Sequence, residues 1–110
     1  MKKQTNQTVS GGILMDYVAE AIEQGFDELT VEYKDGQEMV FVQNKGVGIG
    51  IASLKSDGEE AAALRHELFR LAKSSKKIRL WDNEYILKAR IFDSFGENAF
   101  RVLIKPTATD

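Results

Sequence analysis

Cysteine is missing from this chain, and histidine, proline and tryptophan occur once each in 110 residues. Without cysteine there are no disulfides and no thiolate metal sites, a composition that fits a reducing compartment. One histidine and no cysteine cannot build an ordinary structural zinc site. No apolar run approaches the ~18 residues that would span a bilayer, so no membrane insertion is expected. The first residues, Met1-Lys2-Lys3-Gln4-Thr5-Asn6-Gln7-Thr8, carry two lysines with no apolar segment behind them, which argues against a secretory signal. A cytoplasmic location is the expectation. A strong excess of one charge is also lacking. The net charge is −2, so the molecule as a whole is not drawn to nucleic acid or acidic membranes.

What is present suits one small core. A hydrophobic fraction of 43% is ordinary for a globular protein, and the length suggests a single domain over residues 11–105. Polar tails are expected at 1–10 and 106–110. Charge is uneven along the chain. Residues 1–55 hold five basic and eight acidic side chains, while residues 65–81 hold six basic and one acidic.

The periodicity predicts a helix from about Gly12 to Gln24. Ser10 is its expected N-cap, Leu14, Val18, Ala21 and Ile22 form its apolar stripe, and Gly25 closes it. Three strand signals follow. Leu29, Val31 and Tyr33 alternate with Glu28, Thr30 and Glu32, the pattern of a half-buried strand. Asp35-Gly36 is a two-residue hairpin signal, because a type I′ turn needs positive φ at both central positions. Glu38 to Val42 is apolar on both faces and reads as a central strand. Val47 to Ala52 alternates large apolar residues with Gly48, Gly50 and Ala52.

A second helix carries the stripe Ala61, Leu64, Leu68, Leu71 and Ala72. Ser56-Asp57-Gly58-Glu59 fits a capping box, and its acidic start and basic end suit the helix dipole. Three more strands then follow: Ile78 to Trp81, turned by Asp82-Asn83; Tyr85 to Phe92, turned by Asp93-Ser94-Phe95-Gly96; and Ala99 to Ile104. The fold class is therefore α+β, with antiparallel sheet in α-βββ-α-βββ order packed against two amphipathic helices. Short hairpin connections favour antiparallel pairing within each meander. The two halves lie at an offset of roughly 50 residues with poor identity, which gives little support to a duplication.

Chemical signatures are sparse. Gly46-x-Gly48-x-Gly50 lacks the lysine of a phosphate loop and the helix that should follow it. Its glycines lie inside an apolar strand, so Gly48 and Gly50 read as a side-chain-free surface open to close packing by a helix or a neighbouring chain. His66 stands on the polar side of the second helix, and Arg70 occupies the place of the second histidine of a zinc protease motif. No serine sits in a nucleophile elbow. No catalytic residue, metal ligand or cofactor site is assigned, and no enzymatic activity is expected.

The most suggestive cluster is basic. Arg79 and Trp81 fall on one face of their predicted strand, and Lys88 and Arg90 on the polar face of the strand that hairpins with it. If these faces coincide, Arg79, Trp81, Lys88 and Arg90 form a cationic surface with one aromatic. Such a surface suits a protein partner or phosphate groups, with a nucleic-acid strand as the alternative ligand. An uncapped edge strand would also allow a homodimer.

The order of motifs resembles the small N-terminal domain that precedes the motor in type II secretion and type IV pilus assembly ATPases. In that family a helix leads into a segment close to Gly-Ala-Ser-Asp-Ile-His-Ile-Glu. Here Gly25-Phe26-Asp27-Glu28-Leu29-Thr30-Val31-Glu32 follows the first helix, with Thr30 in place of the histidine. Gln43-Asn44-Lys45-Gly46 keeps only the glycine of the family's Arg-x-Asp-Gly turn. Arg90-Ile91, Gly96-Glu97 and Arg101-Val102-Leu103 follow the family's later order with a shorter loop. The resemblance spans roughly residues 13–105. It implies an interaction or regulatory module. The motor's phosphate loop and acidic boxes do not occur in these residues, so no nucleotide hydrolysis by this chain alone is implied. In the family, arginines of this domain approach the nucleotide held by the motor, and Arg90 and Arg101 match such slots.

Overall fold

A computed structural model describes residues 12–94 and 96–107. The elements run α1 (Gly12–Glu23), β1 (Glu28–Lys34), β2 (Gln37–Asn44), β3 (Val47–Lys55), α2 (Glu59–Lys73), β4 (Lys76–Leu80), β5 (Asn83–Ser94) and β6 (Glu97–Pro106). All six strands join one antiparallel sheet in the order β3-β2-β1-β6-β5-β4. Each meander stays intact, and the two are sewn together where β1 pairs with β6. The centre of the sheet is therefore β1 and β6, and β2, expected to be central, lies one strand in from the edge.

Both helices lie over the same face. Val18 and Ala21 of α1, and Ala61, Leu64 and Leu68 of α2, are fully buried against Leu29, Val31, Val40, Val42, Leu87, Phe100 and Val102 of the sheet. Burying each of these valine, leucine and phenylalanine side chains contributes about 1.5–3 kcal/mol. From the β3 edge the chain enters α2, which crosses this face to reach the opposite edge at β4. The halves share strand order but run in opposite strand directions. A rotation relating them would put the helices on opposite faces, so their shared face speaks against duplication.

Local chemistry explains the joints. Asp35-Gly36 and Lys45-Gly46 have positive φ at both positions, as type I′ turns require. Gly25, at φ 85°, ends α1, with its own N–H donating to Ile22 O and that of Phe26 to Ala21 O. Ser10, the expected cap of α1, lies outside the described residues. Among these, Glu67 of α2 serves that end, its Oε1 accepting from the Leu14 N–H at 2.9 Å. The capping box at α2 does not form. Gly58 is the N-cap without a side-chain bond, and Ser56 instead donates to Glu38 Oε2. Glu38, 5% exposed, also accepts from Arg65 Nη1 at 2.9 Å, so one carboxylate ties β2 to α2 and to the segment before it. Pro106, placed in the tail by sequence, closes β6, and the Thr107 N–H donates to Glu84 O. Among the described residues no helix is long and apolar enough to cross a membrane.

Candidate functional site: the sheet face opposite the helices

Side chains alternate across a strand, so the register that fills the core also fixes what points away from it. Gly50, Phe41, Thr30, Arg101 and Arg90 form one row across β3, β2, β1, β6 and β5. Gly48, Gln43, Glu28, Leu103 and Lys88 form the next. Lys105, Ile86 and Lys77 form a third row across β6, β5 and β4, and Arg79 stands opposite Glu84. No described element covers this face.

Four of the sequence-predicted residues thus share one surface: Arg79, Lys88, Arg90 and Arg101. Trp81 does not belong to it. Instead of extending the strand beside Arg79, it occupies the β4–β5 turn, with φ 51° at Trp81 and 67° at Asp82, and its side chain is 58% exposed. The turn sits one residue earlier than Asp82-Asn83, because Leu80 pairs with Asn83. Shifting the pairing register by two would keep every side chain on its face, so alternation alone cannot choose between the two turns. The observed pairing places Arg79 opposite Glu84, with 3.5 Å between Nη2 and Oε2.

The electrostatics are lopsided. Arg90 and Arg101 lie directly opposite each other, an arrangement that costs stability in a sheet. Arg101 is partly neutralised: its Nε lies 2.9 Å from Glu28 Oε2, and its guanidinium sits 5.7 Å from the centre of the Phe92 ring. Lys77, Lys88, Arg90 and Lys105 make no ion pair among the described residues. Half-buried Ile86 and Leu103 lie between these cations, and half-buried Phe92 lies beyond Arg90 along β5. Thr30, beside Arg101, is 2% exposed although the alternation predicts a polar outward residue, and its Oγ1 has no hydrogen-bond partner among the described residues.

Gly48 and Gly50 lie on this same face at the β3 edge. Neither α1 nor α2 packs over them. A Cβ at Gly48 would come within 2.6 Å of Val42 O, so close approach by the hairpin neighbour requires the glycine. A Cβ at Gly50 would make ordinary contact, 3.6 Å from the Phe41 ring.

Elsewhere the chemistry is thin. His66 is exposed on α2. It lines neither the groove bordered by Met15, Glu67 and Ser74 nor the one bordered by Glu38, Ser56, Arg65 and Phe69. No group of three or more potential metal ligands gathers among the described residues. The Tyr17 hydroxyl is pushed above its usual value by burial and by the nearby Glu60, Asp16 and Glu20 carboxylates.

Sequence reasoning missed Lys77, Lys105, Glu28 and Phe92 as members of the surface. Lys77 follows from the parity of Arg79. Lys105 and Glu28 depend on the β5–β6 and β1–β6 registers, and the second of these joins strands far apart in the chain. No protein-family model matches the sequence, and no curated protein matches it.

Proposed function

We propose that this protein is a non-catalytic interaction module that takes an acidic protein segment on the β4–β5–β6 part of its open sheet face. The observation that carries the reading is the Arg90–Arg101 pair. Two like charges face each other across neighbouring strands, Lys88 follows on the same face of β5, Lys77 and Lys105 flank Ile86 further along it, and none of these three lysines makes an ion pair among the described residues. A ligand with carboxylates would relieve that repulsion. Ile86 and Leu103 would supply the apolar contact that gives an interface its affinity.

An acidic protein is favoured over a nucleic-acid strand. Base stacking needs a free aromatic face among the cations. Trp81 has left the surface for the turn, and the Phe92 ring is already covered by Arg101. The order of motifs supports kinship with the N-terminal domain of secretion and pilus ATPases, whose arginine slots Arg90 and Arg101 match. On that reading the module regulates or docks on an assembly rather than performing chemistry.

The test is a titration followed by amide NMR, using a synthetic peptide of alternating glutamate and leucine. Shifts are expected along Lys88–Arg90 and Arg101–Leu103, with about tenfold weaker binding for Arg90→Glu. A single-stranded oligonucleotide is the control. Shifts from the oligonucleotide alone, or none from the peptide at millimolar concentration, would reject the reading.

A further inference from the structure

The two edges of the sheet are built differently. At one edge, β4 carries Lys76, Lys77 and Arg79 within five residues. Such charges discourage pairing with another strand. At the other edge, β3 has no ionisable side chain from Gly46 through Leu54. Val47 and Ile49 are 71% and 48% exposed there. Among the described residues nothing pairs with the outer side of β3.

The hairpin geometry shows which backbone groups that edge offers. Lys45 and Gly46 form a two-residue type I′ turn, so Asn44 and Val47 close the hairpin as a hydrogen-bonded pair. Alternation makes Val42 and Ile49 the next such pair. Gly48 and Gly50, in the intervening positions, turn their N–H and C=O groups outward. The register shift between Val40 and Phe41 falls beyond Gly50, leaving Val47–Gly50 as a regular stretch.

We infer that β3 pairs antiparallel with β3 of a second copy, about a twofold axis at Ile49. In that register Gly48 faces the second copy's Gly50, and these outward-directed groups exchange hydrogen bonds in both directions. Ile49 meets its own counterpart in the closely spaced, non-hydrogen-bonded position. The absence of charge allows the edge to be self-complementary, as a twofold interface demands. The β4 edge, placed against itself, would set lysines against lysines.

The experiment is sedimentation velocity on the full chain from micromolar to near-millimolar concentration, with hydrogen exchange at both ends of the range. A concentration-dependent dimer is expected, with the Gly48 and Gly50 amides gaining protection as it forms. Ile49→Lys, a change at a half-exposed position, is expected to weaken the dimer about tenfold or more, with unchanged circular dichroism. Arg90→Glu is expected to leave it intact. A monomer throughout the range would overturn the inference. So would a dimer without new protection at Gly48 and Gly50, or one lost in Arg90→Glu but kept in Ile49→Lys. The exchange measurement requires no variant, so a folding defect in Ile49→Lys would not shield the inference.

Discussion

Reversing the charge at Arg90 is expected to make the protein more stable while weakening the proposed binding of an acidic segment. Directly opposed strand residues have Cβ atoms about 5 Å apart, which puts the Arg90 and Arg101 charges roughly 7 Å from each other. Two unit charges at that distance repel by about 0.6 kcal/mol in bulk water, and by more at a protein surface where the effective dielectric is lower. A Debye length of about 8 Å at physiological ionic strength removes roughly half of this. The Arg101–Glu28 ion pair takes a further share. Arg90→Glu converts the remaining repulsion into attraction, a swing of about 0.5–1 kcal/mol. For a domain of this size that corresponds to roughly 2–4 °C in Tm. Arg90→Gln should show about half the gain. The assay is thermal unfolding by circular dichroism at low salt and at about 1 M, where the Debye length of about 3 Å suppresses the term. The high-salt difference measures whatever is not electrostatic, including strand preference. A variant less stable than the parent at low salt, or a gain that persists undiminished at high salt, would refute the assignment of Arg90 to a strained like-charge pair.

Three further perturbations address other parts of the molecule. Thr30→Val removes a buried hydroxyl without a partner at nearly constant shape, and should raise stability by about 1 kcal/mol in urea unfolding; a loss would mean the hydroxyl is satisfied in solution. Replacing Trp81-Asp82 by Asn-Gly supplies the residues a type I′ turn prefers and should add about 1–2 kcal/mol; an unchanged denaturation midpoint would argue against the left-handed Trp81 backbone. Tyr17 holds its proton above the ordinary value in the folded state, so the unfolded chain ionises first and stability falls as pH rises past about 10. Tyr17→Phe should lack that loss, and a parent-to-variant difference that stays constant from neutral pH to well above the ordinary tyrosine value would contradict it.

The elements were legible in the sequence because each rests on a local rule. Asp35-Gly36 and Gly25 announce positive φ, and the stripe from Ala61 to Leu71 announces a buried helix face. The capping box failed because a tertiary partner outbid a local one. Ser56 donates to the buried Glu38, and nothing near Ser56 in sequence reveals that carboxylate. Trp81 was misplaced because alternation is blind to a slide of two residues. The face shared by Arg79, Lys88, Arg90 and Arg101 was readable as parity within hairpins. That Glu28 reaches Arg101 was not, since their pairing depends on β1 meeting β6 across most of the chain.

Charges on a merely solvated sheet face are free to alternate in sign between strands, and here the neighbouring elements do so where the fold benefits. Glu84 answers Arg79, Glu28 answers Arg101, and Glu38 answers Arg65 on the other face. Against that background the Arg90–Arg101 opposition is an exception, and a carboxylate at position 90 would remove it without touching the core. Lys77 and Lys105 add to the same exception on either side of Ile86. The helix-covered face supplies the stability, so the open face can carry an unfavourable charge pattern of less than a kilocalorie per pair. On the proposed reading this pattern, which folding tolerates but does not need, serves a partner whose chemistry is the complement of these side chains: carboxylates flanking a small apolar contact.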